Sequence, residues 1–184
     1  MKKLIFAGLI LAATQSSFAQ VRYFTKTGSI SFQAGTALED IDGANKAATS
    51  VFDVSSGQLE FALLVKGFEF KSALMQAHFN ENYMESDKYP KSVFKGKITN
   101  IDKVNFKKPG EYPVTVKGTL EIHGVAKEVE TTGSFKVLSD ETVTSTSTFS
   151  VTLDDYKIGI PGLVKDKISK TAKITVYCSY AILK

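Results

Sequence analysis

The sequence predicts an all-β protein, a single antiparallel β-barrel of about eight strands with one short helix or loop segment near residues 71–88. Period-two alternation of apolar and polar residues dominates the chain, and helical spacing is confined to that one segment. The alternating runs are about ten residues long and short turns separate them, with no domain linker or internal repeat. Because each buried leucine or phenylalanine contributes roughly 1.5–3 kcal/mol, such strands are expected to close around a shared interior.

The first element is an export signal rather than part of the barrel. Two lysines precede an apolar run, Leu4–Ala13, which is short for a membrane span, and small residues follow at Ser17 and Ala19. We predict a signal peptide at 1–19, a mature barrel domain at 20–184, and a periplasmic or secreted location. A retained membrane anchor is the alternative, disfavoured by the short run and the polar stretch after it.

Charge and cysteine content narrow the possible partners. The full chain is formally +4, and removing Lys2 and Lys3 leaves the mature domain near +2, too weak a charge to argue for nucleic acid. Cys178 is the single cysteine, so an internal disulfide is impossible. It falls on the apolar side of the last alternating run, which predicts a small buried hydrophobe rather than a redox nucleophile or metal ligand.

The strands are predicted in chain order from alternation. A change of phase at Gly67 indicates a bulge or bend, and His123-Gly124 is typical of a tight hairpin turn because both residues tolerate positive φ. Turn residues are concentrated at Thr49–Gly57 and Lys107–Pro113, and Asp154–Ser169 is expected to form a long loop. The alternating runs are Tyr23–Ala34, Gln58–Lys66, Val93–Ile101, Val114–Ile122, Val129–Val137, Val143–Leu153 and Ala172–Ile182.

The inward face predicts a cavity, since it carries small residues where a solid core needs bulk. A barrel of about eight strands holds one small ligand when its lining side chains are short. Helical spacing places an apolar cap over the mouth, in the segment Lys71–Asp87. The alternative is a filled interior in which the small residues relieve crowding at bent corners. The residues predicted to bind the ligand are Leu74, Met75, Phe79, Tyr83, Phe94, Val116, Gly118, Leu120, Gly133, Phe135, Ser145, Ser147, Phe149, Ile174, Val176 and Tyr180.

Catalysis and metal binding are weaker hypotheses. The two histidines, His78 and His123, lack a recognisable catalytic signature around them, so we predict no catalytic residue. His123 is explained by the hairpin, and His78 by hydrogen bonding that orders the helix segment. His78 and the nearby Glu81, Glu85 and Asp87 are equally consistent with a weak metal site and with solvated charges. No cofactor is implied, and a structural or interaction barrel with a filled core stays open.

Two stretches carry a specific resemblance. His78–Pro90 with Phe94-Lys-Gly96, and the hairpin Gly118–Lys127, resemble the YceI-like family of bacterial periplasmic proteins. The resemblance implies a lipocalin-like barrel that binds, stores or transports a polyisoprenoid or other long-chain lipid, without catalysis and without stable membrane insertion. It leaves the choice between monomer and homodimer open. The chain departs from many members at Gly28-Ser29, where they carry a His-Ser pair, and its Asn80-Glu-Asn82 sequence is typical of a subgroup.

Overall fold

Alternating side chains give each strand one face for the interior and one for solvent. The computed structural model describes residues 21–139 and 141–183. Within them, eight antiparallel strands pair in sequence order and β8 returns to β1, which closes the barrel and confirms the predicted fold class. The predicted signal peptide, residues 1–19, lies outside the described residues. The strands are β1 (Arg22–Gly35), β2 (Asp42–Asp53), β3 (Gln58–Leu64), β4 (Lys91–Ile98), β5 (Gly110–Ile122), β6 (Val125–Val137), β7 (Thr142–Thr152) and β8 (Ile168–Ile182).

Strand β2 corrects the sequence-based assignment. The expected turn at Thr49–Gly57 is wrong for its first half, because β2 continues to Asp53 and pairs with β1 and β3 on its two edges. The strand opens with aspartate, glycine, alanine, asparagine and lysine, which have low β-propensity. Pairing on both edges and the complete burial of Ala48 and Phe52 stabilise it instead. Strand β5 likewise begins at Gly110, inside the predicted turn Lys107–Pro113.

The predicted hairpin turn is confirmed. His123 and Gly124, with φ of 53° and 69°, are the two residues between β5 and β6. Two successive positive φ values fit the type I′ geometry that matches strand twist. The phase change at Gly67 is a bend: β3 ends at Leu64 and a 3₁₀ turn, Val65–Gly67, redirects the chain.

The predicted helical segment is also present. Helix α1 spans Ala73–His78, and a π-helical turn, Phe79–Tyr83, continues it. The side chain of Ser72 caps α1 by accepting a hydrogen bond from the amide of Met75 at 3.4 Å. None of the helices within the described residues has the length and apolar character needed to cross a membrane.

Packed aromatic rings fill one end of the barrel. Tyr23 and Phe52 stack with ring centroids 5.0 Å apart, and Phe52 also contacts Phe135 at 4.8 Å and Tyr180 at 5.0 Å. Phe106, from the loop between β4 and β5, packs against the rings of Tyr23 and Phe52 and belongs to the same buried cluster. We call these five residues the aromatic floor.

The wall between β6 and β7 is only partly paired. Residues Gly133–Val137 of β6 pair with Val143–Ser147 of β7, and the pairing stops beyond Gly133 and Ser147. Where pairing stops, the Ser147 hydroxyl donates a hydrogen bond to the carbonyl of Thr132 at 2.7 Å. Farther along, the 3₁₀ turn Asp154–Tyr156 lies against both strands. Residues from this turn therefore complete the wall where the strand ladder ends.

Candidate functional site

The barrel encloses a cavity of about 540 Å³ above the aromatic floor. This volume lies within the roughly 300–1,000 Å³ typical of small-molecule sites. The wall comes from inward side chains of β1 and β3 to β8, and α1 with the π-helical turn covers part of the far end. Alternation along the strands therefore produces both the apolar lining and the polar outer surface.

The structure brings together most of the residues predicted from sequence. All of them except Gly118 line this one cavity, and whether they contact a ligand stays a prediction. The residues placed on the lining are Leu74, Met75, Phe79, Tyr83, Phe94, Val116, Leu120, Gly133, Phe135, Ser145, Ser147, Phe149, Ile174, Val176 and Tyr180.

Gly118 is placed elsewhere and serves strand packing. It pairs with Gly96 of β4, and a Cβ atom added at Gly118 would lie 2.4 Å from the Cα of Gly96 and from the carbonyl oxygen of Lys95. The missing side chain therefore permits close approach of β4 and β5 rather than leaving space for a ligand. At this position the small residue relieves crowding between two paired strands.

Several lining residues were missed by the sequence analysis. Strand β3 and the segment after it contribute apolar side chains, and four rings gather near α1, with Phe79 packed 5.4 Å from Phe32 and 4.9 Å from Phe70. The short alternations Ile30-Ser-Phe32 and Phe68-Glu-Phe70 are the sequence pattern that could have identified this side of the cavity wall. The additional lining residues from this side are Ile30, Phe32, Leu59, Phe61, Leu63, Phe68 and Phe70.

Polar atoms at the floor are paired with each other. The Tyr180 hydroxyl and the Ser50 hydroxyl share a hydrogen bond at 2.9 Å, and Ser50 also donates to the carbonyl of Glu60. Burial raises the pKa of Tyr180 far above its usual range, with the neighbouring Cys178 adding to the effect. The phenol is therefore neutral, and the deep end of the cavity holds no charge.

Cys178 is buried as predicted, with none of its surface exposed. Burial raises the pKa of its thiol to about 11, although hydrogen bonds with Tyr180 and Ser145 oppose the shift. A Cβ at Gly28 would lie 2.8 Å from the Cys178 sulfur. A side chain at position 28 would therefore collide with Cys178 in this barrel.

Charged groups of the lining sit at the mouth, opposite the floor. Lys167 forms an ion pair with Glu39 at 3.0 Å, and both line the cavity. His78 lines the same end and is exposed. The Tyr83 hydroxyl is nearby, and burial together with the negative charge of Glu39 raises its pKa. The cavity therefore changes from apolar at the floor to charged at the mouth.

His123 anchors the segment that covers the mouth. Its Nε2 lies 2.8 Å from a carboxylate oxygen of Glu85 and its Nδ1 lies 3.1 Å from the carbonyl oxygen of Tyr156. Both partners are hydrogen-bond acceptors, so the ring is held between them through its two nitrogens. The Tyr89 ring packs edge-on against His123 with centroids 4.6 Å apart and also lies over Gly124. The two stretches that carried the family resemblance are thus in direct contact.

The role expected for His78 is wrong. Among the described residues its side chain makes no hydrogen bond, and His123 holds the segment instead. The other candidate metal ligands have different partners, since Glu85 bonds His123 and Asp87 pairs with Lys66 at 2.6 Å. Within residues 21–139 and 141–183, no three histidine, cysteine or carboxylate side chains are grouped as metal ligands would be.

Comparison with solved structures places the barrel among known relatives. A polyisoprenoid-binding domain from Saccharophagus degradans, implicated in plant cell wall breakdown, superposes with a TM-score of 0.77 at 14% identity, covering 90% of this chain and 100% of that one. Burkholderia cenocepacia BcnA gives 0.68 at 15%, covering 84% and 96%. The Campylobacter jejuni YCEI protein gives 0.62 at 16%, covering 98% and 99%. These TM-scores, at identities of 14–16%, show a shared fold.

Sequence comparison is more specific. No curated protein matches the chain significantly. The family model described as the YceI-like domain matches residues 12–180, which includes every strand of the barrel up to most of β8. The stretches His78–Pro90 and Gly118–Lys127, which pointed to this family, both lie inside the match. The protein belongs to the YceI-like family.

Proposed function

We propose that the protein binds one long apolar lipid, of polyisoprenoid type, inside the barrel and does not alter it chemically. The observation that carries this proposal is the cavity, which is closed by aromatic rings at one end and bears charge only at the other. Apolar walls favour a hydrocarbon chain, since each methylene removed from water contributes about 0.8 kcal/mol. The polyisoprenoid-binding neighbour supports the same class of ligand.

The polarity gradient sets the direction of the bound lipid. Its tail end lies against Phe135 and Tyr180 at the floor, where the polar atoms are already paired. Its polar end lies at the mouth, beside Lys167, Glu39 and His78. A head group that carries phosphate or hydroxyl can hydrogen-bond there without entering the apolar part of the cavity.

The same arrangement argues for binding over catalysis. The reactive side chains of the interior are Cys178 and Tyr180, and burial keeps both in their neutral, weakly nucleophilic forms. His123 lies outside the cavity lining and its ring nitrogens are engaged by Glu85 and Tyr156. With the predicted export signal, the role is lipid carriage or storage in the periplasm.

The test is extraction of the purified, natively exported protein with chloroform and methanol, followed by mass spectrometry. We expect a near-stoichiometric long-chain lipid, and uptake of added solanesol by protein that has been stripped and refolded. Val176→Phe places a ring in the cavity and is expected to lower both the amount of extracted lipid and the uptake of solanesol. Thr175→Phe is the matched control, because it places the same ring on the outer face of the same strand. Absence of lipid in the extract together with no solanesol uptake would refute the proposal.

A further inference from the structure

Large apolar side chains project into solvent around the cavity mouth. Leu163 is 99% exposed, Leu38 is 72% exposed and Leu74 is 65% exposed. Leu163 lies in a 3₁₀ turn before β8, Leu38 in the turn between β1 and β2, and Leu74 in α1. Exposure of three leucines to water is unfavourable, so their grouping at one end of the barrel indicates a surface that binds a partner.

Direct contacts place these three elements on one rim. The Thr36 hydroxyl donates to the carbonyl of Asp166 at 2.8 Å, which joins the β1–β2 turn to the loop that carries Leu163. The Glu39–Lys167 ion pair makes a second link between them. Leu74 itself lines the cavity that Glu39 and Lys167 also line. We call Leu38, Leu74 and Leu163 the apolar rim.

The loop around Leu163 is built to project. Ile160 and Val164 pack against the buried core and hold the two sides of the loop in place. Gly159 and Gly162 have open space where a side chain would be, with nothing within 4 Å. The residues between these anchors therefore form a protruding apolar tip.

The charges around the rim are close to balanced. Lys157 and Lys165 flank the tip, and neither makes an ion pair with another described residue. Asp40 and Asp166 are nearby, and the remaining pairs, Lys167–Glu39 and Lys71–Asp42, are internal to this end. Binding to this rim is therefore expected to depend on apolar burial, with only a weak dependence on salt.

We propose that the apolar rim docks the barrel on a phospholipid bilayer, with the three leucines in the interfacial layer and the mouth facing the membrane. This inference rests on the proposed function: a long apolar lipid is too insoluble to reach the cavity through water, so the mouth has to meet the bilayer that holds it. The flanking lysines suit this position because their stems can lie along apolar surface while the ammonium groups reach lipid head groups.

A second copy of the chain fits the rim less well. A stable protein interface buries about 800 Å² on each partner over a continuous surface. Three leucines on separate loops provide less than that, and the charged residues between them would face their own counterparts. A bilayer adapts to three separate tips and needs no matching surface.

The test is co-sedimentation with vesicles of phosphatidylethanolamine and phosphatidylglycerol. Leu163→Ser with Leu38→Ser is the informative variant, because neither residue lines the cavity. We expect its vesicle partition coefficient to fall by about tenfold. Leu138→Ser is the matched control, since Leu138 is an exposed leucine at the floor end, after β6, and its loss is expected to change nothing.

Lipid extraction from the same proteins separates the two ideas. Lipid in the wild-type extract with no vesicle binding, or with equal binding by the double variant, would overturn docking and leave the proposed function standing. Rim-dependent vesicle binding with no lipid in the extract and no solanesol uptake would support docking and overturn the lipid cavity. A change in oligomeric mass caused by the double variant in analytical ultracentrifugation would assign the rim to self-association and overturn docking.

Discussion

Replacing His123 with asparagine tests how the mouth segment is held. Asparagine adopts positive φ readily, so the turn between β5 and β6 survives while the ring and both of its hydrogen bonds are lost. His123 is 9% exposed, so the partners it leaves are poorly solvated. The change therefore isolates the contacts of His123 with Glu85, Tyr156 and Tyr89.

The expected magnitude follows from these three contacts. The bond to the Glu85 carboxylate is worth about 1.5 kcal/mol, the low end for a charged acceptor, because the Glu85 side chain is 45% exposed. The bond to the Tyr156 carbonyl is worth about 1 kcal/mol, and the edge-on contact with Tyr89 about 0.5–1 kcal/mol. We expect the free energy of unfolding to fall by about 2–4 kcal/mol and Tm by about 5–15 °C.

Urea and thermal unfolding followed by circular dichroism measure this change. His78→Asn is the control: the same substitution at an exposed histidine should change stability by less than about 0.5 kcal/mol. The lipid content of the His123→Asn protein should persist, because the cavity lining is untouched. Equal stability of the two variants would refute the assignment of His123 as the anchor.

Three further predictions follow from other positions. Gly118→Ala should destabilise the barrel by about 1–3 kcal/mol in urea unfolding, because the new Cβ meets β4. Gly159→Ala, with open space around it, should be near neutral, and equal effects of the two variants would contradict the packing role of Gly118. Cys178 should resist thiol reagents in the native state. Because burial raises its pKa to about 11 from an ordinary value near 9, its contribution to stability is present below pH 9 and is lost as the pH rises toward 11. Cys178→Ala should remove that part of the loss of stability at alkaline pH, and an unchanged dependence of stability on pH would contradict the burial of a neutral thiol. The intact mass of the exported protein should correspond to a chain that begins at Gln20, and retention of residues 1–19 would argue against the signal peptide.

The sequence by itself determined the fold class and fifteen of the residues that line the cavity. Alternation has a period of two, so a run such as Val129, Thr131, Gly133 and Phe135 assigns each residue to a face without any knowledge of partners. The turn at His123-Gly124 was also local, because positive φ is a property of the residues themselves. These features follow from neighbours within one strand or one turn.

Only the tertiary structure decided what those faces meet. Gly118 and Gly133 are both assigned to the inward face by alternation, and a Cβ at either would meet the neighbouring strand, at 2.4 Å from the Cα of Gly96 and at 2.5 Å from the carbonyl oxygen of Thr146. Gly133 nevertheless borders the cavity and Gly118 does not. Strand β2 escaped detection because its pairing and burial, rather than its propensities, stabilise it. The closed floor, the charged mouth and the rim leucines join residues more than a hundred positions apart, such as Thr36 and Asp166. Such contacts depend on how the barrel closes, and a local pattern carries no information about them.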